Sequence, residues 1–330
     1  DRVLWTFAPD PTTALARIRA GEADFFEGVP AAQAAELDSL PAIRVFSYPA
    51  MQYAFMGMNL NARRNGTAPH PIFGDIRVRR ALTMATDRAA MLKNVFSGMG
   101  KASHGPLPRV LGVADSLVPQ LPFDTVAAAA LLDSAGWHRG QDGMRQKDGR
   151  PLRFSLLVPQ SSPPRMAYGV LLQEQFRRIG AQVDIETTDF PTFVNRSNAR
   201  DYDAALQGWG QSDPGPAAFR GRWSTASIGS AGQNVEGYRN PVTDAYVDSA
   251  LASYDGRRTS RYMQRALQQI TADAPTIWLY DPISIAAVHE RIRMPALRGD
   301  KWWAHLADWY IPEGQRIDRD RIGLRAAPAP

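Results

Sequence analysis

The sequence predicts an α/β protein, built on a parallel or mixed sheet covered by helices. Strand-like runs alternate with helix-periodic runs along most of the chain, which is the pattern of crossover connections. The 330 residues are enough for about two domains and a sizeable core. Hydrophobic residues make up 44% and charged residues 22%, an ordinary globular composition.

The elements follow in order. Residues 2–7 (RVLWTF) read as a short strand. Thr12 or Thr13 can cap a helix running to Arg19, with Gly21 as its stop. ADFFEG (23–28) and IRVFSY (43–48) read as strands around a short helix, AAQAAELDSL, and QYAFMGMNL (52–60) is a longer extended run. Asp75 opens the clearest helix, in which Val78, Ala81, Leu82, Ala85, Ala89, Leu92 and Phe96 keep helical spacing up to a stop at Gly98. A Pro/Gly-punctuated loop (105–113) and a helix over 125–135 come next. A βαβ unit comprises strand 152–158, helix 165–179 and strand 181–187. Asp189 caps a further helix, and YDAALQGW (202–209) returns as a strand.

The Gly-, Ser- and Pro-rich stretch 210–233 reads as a long loop, too long for a plain connector. Asn240-Pro241 starts a helix, with Pro near the first turn. Residues 257–274 form another amphipathic helix, 276–281 and 284–290 look like paired strands, and the tail LRAAPAP reads as disordered.

Composition also excludes whole classes of function. Without cysteine there are no disulfides, thiolate metal sites or cysteine nucleophiles. The net charge of +5 comes from 38 basic and 33 acidic residues scattered among one another, and the densest cluster (Arg77, Arg79, Arg80) lies beside Asp75 and Asp87. A nucleic-acid surface needs a stripe or patch, so no nucleic-acid partner is expected. The five histidines are dispersed without metal-ligand spacing, and no G-x-S-x-G elbow is present. SGMGKAS (97–103) follows a helix and lacks the spacing of a phosphate loop. The chain is therefore expected to be no enzyme and to need no cofactor or metal. No apolar run approaches the ~20 residues of a membrane span. The opening DRVLWTFAPD lacks the character of a signal peptide.

Three stretches together resemble the family 5 extracellular solute-binding proteins, the dipeptide-, oligopeptide- and nickel-binding group. FGDIRVRRALTMATDRAAMLKNVFSGMGKASHGPLP (73–108) is similar to the family's pattern of an acid, VR-AL, A-DR and V-GxG before a Pro-rich turn. YDAALQGWGQSDPGPAAF (202–219) resembles its strand ending in Gly-Trp before an acidic, Pro-containing loop. Residues 237–280 resemble its N-P-x-x-D helix, Arg-rich helix and final strand, and LARIRAGEADFFEGVP (15–30) resembles a stretch well inside the family.

The resemblance implies a type II periplasmic-binding-protein-like fold, two lobes joined by a hinge, with lobe I incomplete. Residues 1–72 would be a lobe I segment and hinge strand, 73–275 lobe II, and 276–330 the return to lobe I and the tail. It implies a C-terminal portion of a periplasmic or extracytoplasmic receptor, lipid-anchored through a missing N-terminus. Such a receptor acts as a monomer and delivers a peptide, or another small solute, to the permease subunits of an ABC transporter. The alternative is the ligand-sensing domain of a transcription regulator with a similar fold.

Trp209 is the leading binding candidate, because it ends a strand where open α/β sheets place ligands; a core tryptophan is the alternative. In peptide binders of the family an acid three residues after that tryptophan binds the ligand amine. The matching position here is Ser212, with Asp213 one step on, and Asp213 has an Asx turn before Pro214 as its alternative. The segment before helix 165–179 can carry an arginine for the ligand carboxylate; here it reads VPQSSPP, with Arg165 only at the helix start. Phe55, Gly57 and Asn59 fall on the strand that resembles a ligand-lining hinge strand, and Trp278 and Tyr280 on the returning strand. Trp223, Asn234 and Tyr238 flank the 210–233 stretch. For the two strands, packing in the sheet is the equal alternative.

Overall fold

The computed structural model describes residues 2–64, 66–97, 99–111, 118–210, 213, 215–229 and 232–321. In chain order the elements are α1 (Pro11–Arg19), β1 (Phe25–Glu27), α2 (Ala31–Asp38), β2 (Ile43–Pro49), β3 (Gln52–Met58), α3 (Ile76–Met84), α4 (Arg88–Phe96) and α5 (Thr125–Ser134). Three short strands follow, β4 (His138–Arg139), β5 (Arg145–Lys147) and β6 (Arg150–Pro151). Then come β7 (Arg153–Pro159), α6 (Pro163–Arg178), β8 (Gln182–Thr188), α7 (Phe190–Asn198), β9 (Ala204–Gly210) and α8 (Pro216–Trp223). The last are α9 (Pro241–Leu251), α10 (Gly256–Asp273), β10 (Thr276–Tyr280) and β11 (Ile283–His289).

Side-chain caps set most helix starts, because the first turn has backbone N–H groups without helical partners. Asp189 accepts from the Thr192 N–H at 2.9 Å and opens α7 as expected, and Asn240 caps α9 with Pro241 at its first position. At α1 the cap is Asp10, which accepts from the Thr13 N–H at 2.9 Å, rather than either threonine. The single helix expected from Asp75 is two. Asp75 caps α3, the chain breaks after Ala85, and Asp87 caps α4 by accepting from the Ala90 N–H at 3.0 Å. Residues 2–7 are not a strand; Val3, Leu4, Trp5 and Phe7 lie exposed without a sheet partner. The stretch 210–233 contains helix α8, since Pro216 at the first turn suits a helix start. LRAAPAP lies outside the described residues.

The chain forms two compact units, residues 1–50 with 283–330 and residues 51–282. The first holds a three-stranded antiparallel sheet of order β1-β11-β2. Asp24 accepts from Arg291 at 2.6 Å and from Arg319 at 2.5 Å in this unit, and Trp302 packs on Phe25 with ring centroids 4.4 Å apart.

The second unit holds a five-stranded mixed sheet of order β10-β3-β9-β7-β8. β7 runs parallel to β8 and β9, whereas β3 runs antiparallel to β9 and β10. The strands at 276–280 and 283–289 do not pair with each other; β10 joins β3 and β11 joins β1 and β2. One face of the sheet packs Met56, Leu156 and Leu206 against Val78 and Leu82 of α3, Leu132 of α5, and Leu172 and Phe176 of α6. Among the described residues no helix is long and apolar enough to cross a membrane.

Asp203 ties the start of β9 to its neighbours. It accepts from the Ser155 N–H at 2.9 Å and the Ser155 hydroxyl at 3.0 Å, and lies 3.3 Å from His70 Nε2. Burial pushes its carboxyl up, but the His70 and Ser155 contacts outweigh burial and hold it at about 2. A depressed carboxyl stabilises the fold above its unfolded pKa of about 3.9, and the contribution fades as pH falls toward 2. Asp203→Asn is expected to cost about 2 kcal/mol at pH 7 and little at pH 2.5. Urea unfolding at the two pH values measures this, and an equal cost at both would refute it.

Candidate functional site

β9 changes character along its length. Ala204 to Gln207 are buried, Gly208 and Gly210 are exposed, and Trp209 is half-buried. The sheet register sets Trp209 opposite Tyr53, Gln207 opposite Phe55, and Phe55 opposite Trp278. Alternate residues of a strand share a face, so these side chains stand together. Tyr53, Phe55 and Trp278 are fully buried, and Trp278 meets Trp223 of α8 edge-on at 5.6 Å. Tyr238 closes the group at 6.4 Å from Trp223.

An ion pair lies inside this aromatic group. Arg222 donates through Nη1 to Glu236 Oε2 at 2.6 Å and through Nη2 to Oε1 at 2.9 Å, with side chains 1% and 0% exposed. Its guanidinium carbon lies 4.3 Å from the Trp223 ring centroid, 5.1 Å from Trp209 and 5.5 Å from Phe55. Burial would lower the Arg222 pKa, but the Glu236 charge and hydrogen bonds raise it and keep the group cationic. The Glu236 carboxylate rests against Gly57: a Cβ there would come within 2.7 Å of Oε1 and 3.0 Å of Gln207 Nε2. That close approach is the reason for glycine at 57.

Three of the candidate residues use their polar groups on the chain itself. Asn59 Nδ2 donates to the Arg200 and Tyr202 carbonyls at 3.0 and 3.1 Å. Asn234 Nδ2 donates to the Ser224 and Tyr238 carbonyls, each at 2.9 Å, while its Oδ1 accepts from the Tyr238 N–H at 3.0 Å. The Tyr238 hydroxyl donates to Asp273 at 2.7 Å. The Trp278 indole N–H, by contrast, is buried without a hydrogen-bond partner among the described residues, and the buried Tyr53 hydroxyl faces the Trp223 indole and Arg222.

Tyr280 stands on the other face of the sheet from Trp278. Two residues apart, they would share a face in a regular strand, but the register shifts between them so that Tyr280 pairs with Ala54 while Trp278 pairs with Phe55. Tyr280 packs on Tyr168 at 4.6 Å and Phe96 at 4.8 Å. Its hydroxyl meets Arg165, from the first turn of α6. Burial pushes the Tyr280 phenol up to about 12, against the pull of Arg165. Arg165 lies over Gly208, where any Cβ would overlap its Nη2. It is partly buried, burial lowers its pKa, and no carboxylate among the described residues pairs with it.

Asp213 is exposed, and its Oδ1 accepts from the Gly215 N–H at 2.7 Å in an Asx turn. Ser212 lies outside the described residues. The structure thus brings Phe55, Gly57, Trp209, Trp223, Tyr238 and Trp278 around Arg222 and Glu236, and sets Tyr280 with Arg165 on the opposite face. Tyr53, Arg222 and Glu236 escaped the sequence reading. Arg222 and Glu236 are fourteen positions apart across an irregular segment, so no periodicity announces the pair.

A separate cavity of about 440 Å³ in the first unit is lined by Phe7, Asp10, Arg17, Phe25 and Glu27, among others. Its charges are already engaged: Asp10 caps α1, Arg17 donates to the Phe7 carbonyl, and Glu27 accepts from Tyr48. Among the described residues no three His, Asp or Glu side chains gather as a metal site requires.

Comparison with known proteins adds the following. The family model for bacterial extracellular solute-binding proteins, family 5 Middle, matches residues 1–231. The oligopeptide-binding protein AppA of Bacillus subtilis is 27% identical over 317 residues, 92% of this chain and 56% of that protein. The chain therefore spans little more than half the length of this relative. The structure of AppA in complex with a nonapeptide superposes with a TM-score of 0.80 at 26% identity, covering 93% of this chain and 59% of AppA. NikZ from Campylobacter jejuni in complex with Ni(L-His) has the same fold, with a TM-score of 0.77 at 21% identity, covering 91% of this chain and 60% of NikZ.

Proposed function

Since the chain belongs to the bacterial extracellular solute-binding proteins of family 5, which are receptors and not enzymes, we propose that it forms part of the peptide receptor of an ABC importer. In this reading the protein works outside the cytoplasm and hands its solute to permease subunits in the membrane. The family match favours a receptor over the sensing domain of a regulator.

One observation carries the reading: the Arg165 guanidinium lies over Gly208 and no carboxylate among the described residues pairs with it, at the end of β9 whose opposite face carries the half-buried Trp209 ring. A partly desolvated arginine without an acid attracts a carboxylate more strongly than a surface arginine does. A peptide's terminal carboxylate suits it, and Trp209, on the other face at the same end of β9, offers a separate apolar surface. Asp213 supplies an acid on the following loop for the peptide amine.

Native mass spectrometry of the protein purified from its envelope tests this. Co-purified masses spaced as peptides are expected. A single non-peptide mass would keep a receptor and discard the peptide. A bare protein that also shows no thermal shift with peptides or sugars would discard the receptor.

A further inference from the structure

α10 carries four arginines within nine residues, Arg257, Arg258, Arg261 and Arg265, all exposed. Its opposite face buries Met263, Ala266, Leu267 and Ile270, so helical spacing fixes the arginines outward. Arg257, Arg261 and Arg265 follow at four-residue steps and line up over about 12 Å. None of the four pairs with an acid among the described residues; Arg258 rests on Tyr262 and Arg265 on Tyr246.

This arrangement opposes helix stability twice. Like charges at four-residue spacing repel, and cations in the first turns meet the positive end of the helix dipole. The Asp255 cap and the two tyrosines offset part of this for Arg258 and Arg265, but the Arg257, Arg261 and Arg265 row has no acid partner among the described residues, which marks a surface kept for another purpose. Two further features share the region. The chain just before α10 presents Tyr254, fully exposed, and Leu251, 42% exposed. Farther along the helix, Arg265 borders a cavity of about 460 Å³ with Tyr246, Gln268, Gln269 and Ala272.

We propose that this face of α10 docks on a membrane surface of anionic phospholipid. The arginine row meets the phosphates, Tyr254 and Leu251 enter the interfacial layer, and the cavity beside Arg265 takes a headgroup. An acidic protein surface would satisfy the arginines, but it would leave the bare tyrosine and leucine unexplained.

Co-sedimentation with vesicles tests the proposal. The purified protein is mixed with vesicles of equal parts phosphatidylglycerol and phosphatidylcholine, or of phosphatidylcholine alone. Binding to the anionic vesicles only is expected. Each arginine at an anionic surface is worth about fivefold, so Arg257→Gln/Arg261→Gln/Arg265→Gln is expected to weaken binding about 100-fold. A control, Arg139→Gln/Arg150→Gln/Arg178→Gln, removes the same charge from exposed sites elsewhere in the same unit and is expected to change binding only a few-fold. The α10 variant is expected to melt no lower than the parent, since it relieves repulsion, so lost binding would not reflect unfolding. Equal losses in the two variants would reduce the effect to net charge and overturn the proposal. So would failure to bind anionic vesicles, including the case where the protein binds poly-glutamate instead.

Discussion

Glu236→Gln is expected to lower the stability of the second unit by about 3–5 kcal/mol, the cost of leaving one member of a buried ion pair unpaired. Glutamine keeps the volume and one acceptor, so the loss is of charge and not of packing. Arg222 would then be a desolvated cation among three aromatic rings, and stacking recovers only about 2 kcal/mol of such a cost. The midpoint of urea unfolding measures the effect. A double variant, Arg222→Met/Glu236→Leu, is expected to recover most of the loss, because a buried pair replaced as a whole is often neutral. A single-variant cost below about 1 kcal/mol would mean that water reaches the pair in solution. Trp209 and Trp223 lie on the guanidinium, so the same variants are expected to shift tryptophan emission.

Arg165→Gln is expected to weaken a peptide with a free carboxylate by about 30- to 1,000-fold, or about 2–4 kcal/mol, and to leave the amidated peptide nearly unchanged. Gly208→Ala reaches the same end by another route. Its Cβ occupies the place of the Arg165 Nη2, so the guanidinium must move while the strand stays in place. Calorimetric titration of both variants with both peptides decides the matter. Equal losses for the free and amidated peptides would remove the carboxylate from the argument, and unchanged affinities would remove Arg165 from the site.

The sequence conveyed the fold well wherever periodicity and caps coincide. Asp189 and Asn240 open their helices as read, and strand 152–158 pairs on both sides in the sheet, between β9 and β8. Reading failed where a local signal competes with a longer pattern. Asp87 continues the helical spacing of its neighbours yet caps a new helix, and Pro216 opens a helix in a stretch whose composition reads as loop. Strands 276–280 and 283–289 look like a hairpin because they are close in sequence, but two intervening residues carry the chain from one sheet to another.

The candidate site was legible as a set of aromatic residues and illegible as an arrangement. The register shift at the end of β10 puts Trp278 and Tyr280 on opposite faces, which a two-residue spacing denies. Arg165 was legible as a cation at a helix start, but only the missing side chain of Gly208 shows where the cation rests.

The place of β11 in the first sheet bears on how the chain is made. Among the described residues β1 and β2 do not pair with each other; each pairs with β11, roughly 230 residues further on. At ~5–20 residues per second a ribosome needs roughly 10–50 s to supply that strand. Here β1 and β2 can take their places beside β11 only once that strand has been made. Residues 51–282 are continuous in sequence, so the second unit can be completed while β1 and β2 still wait for β11.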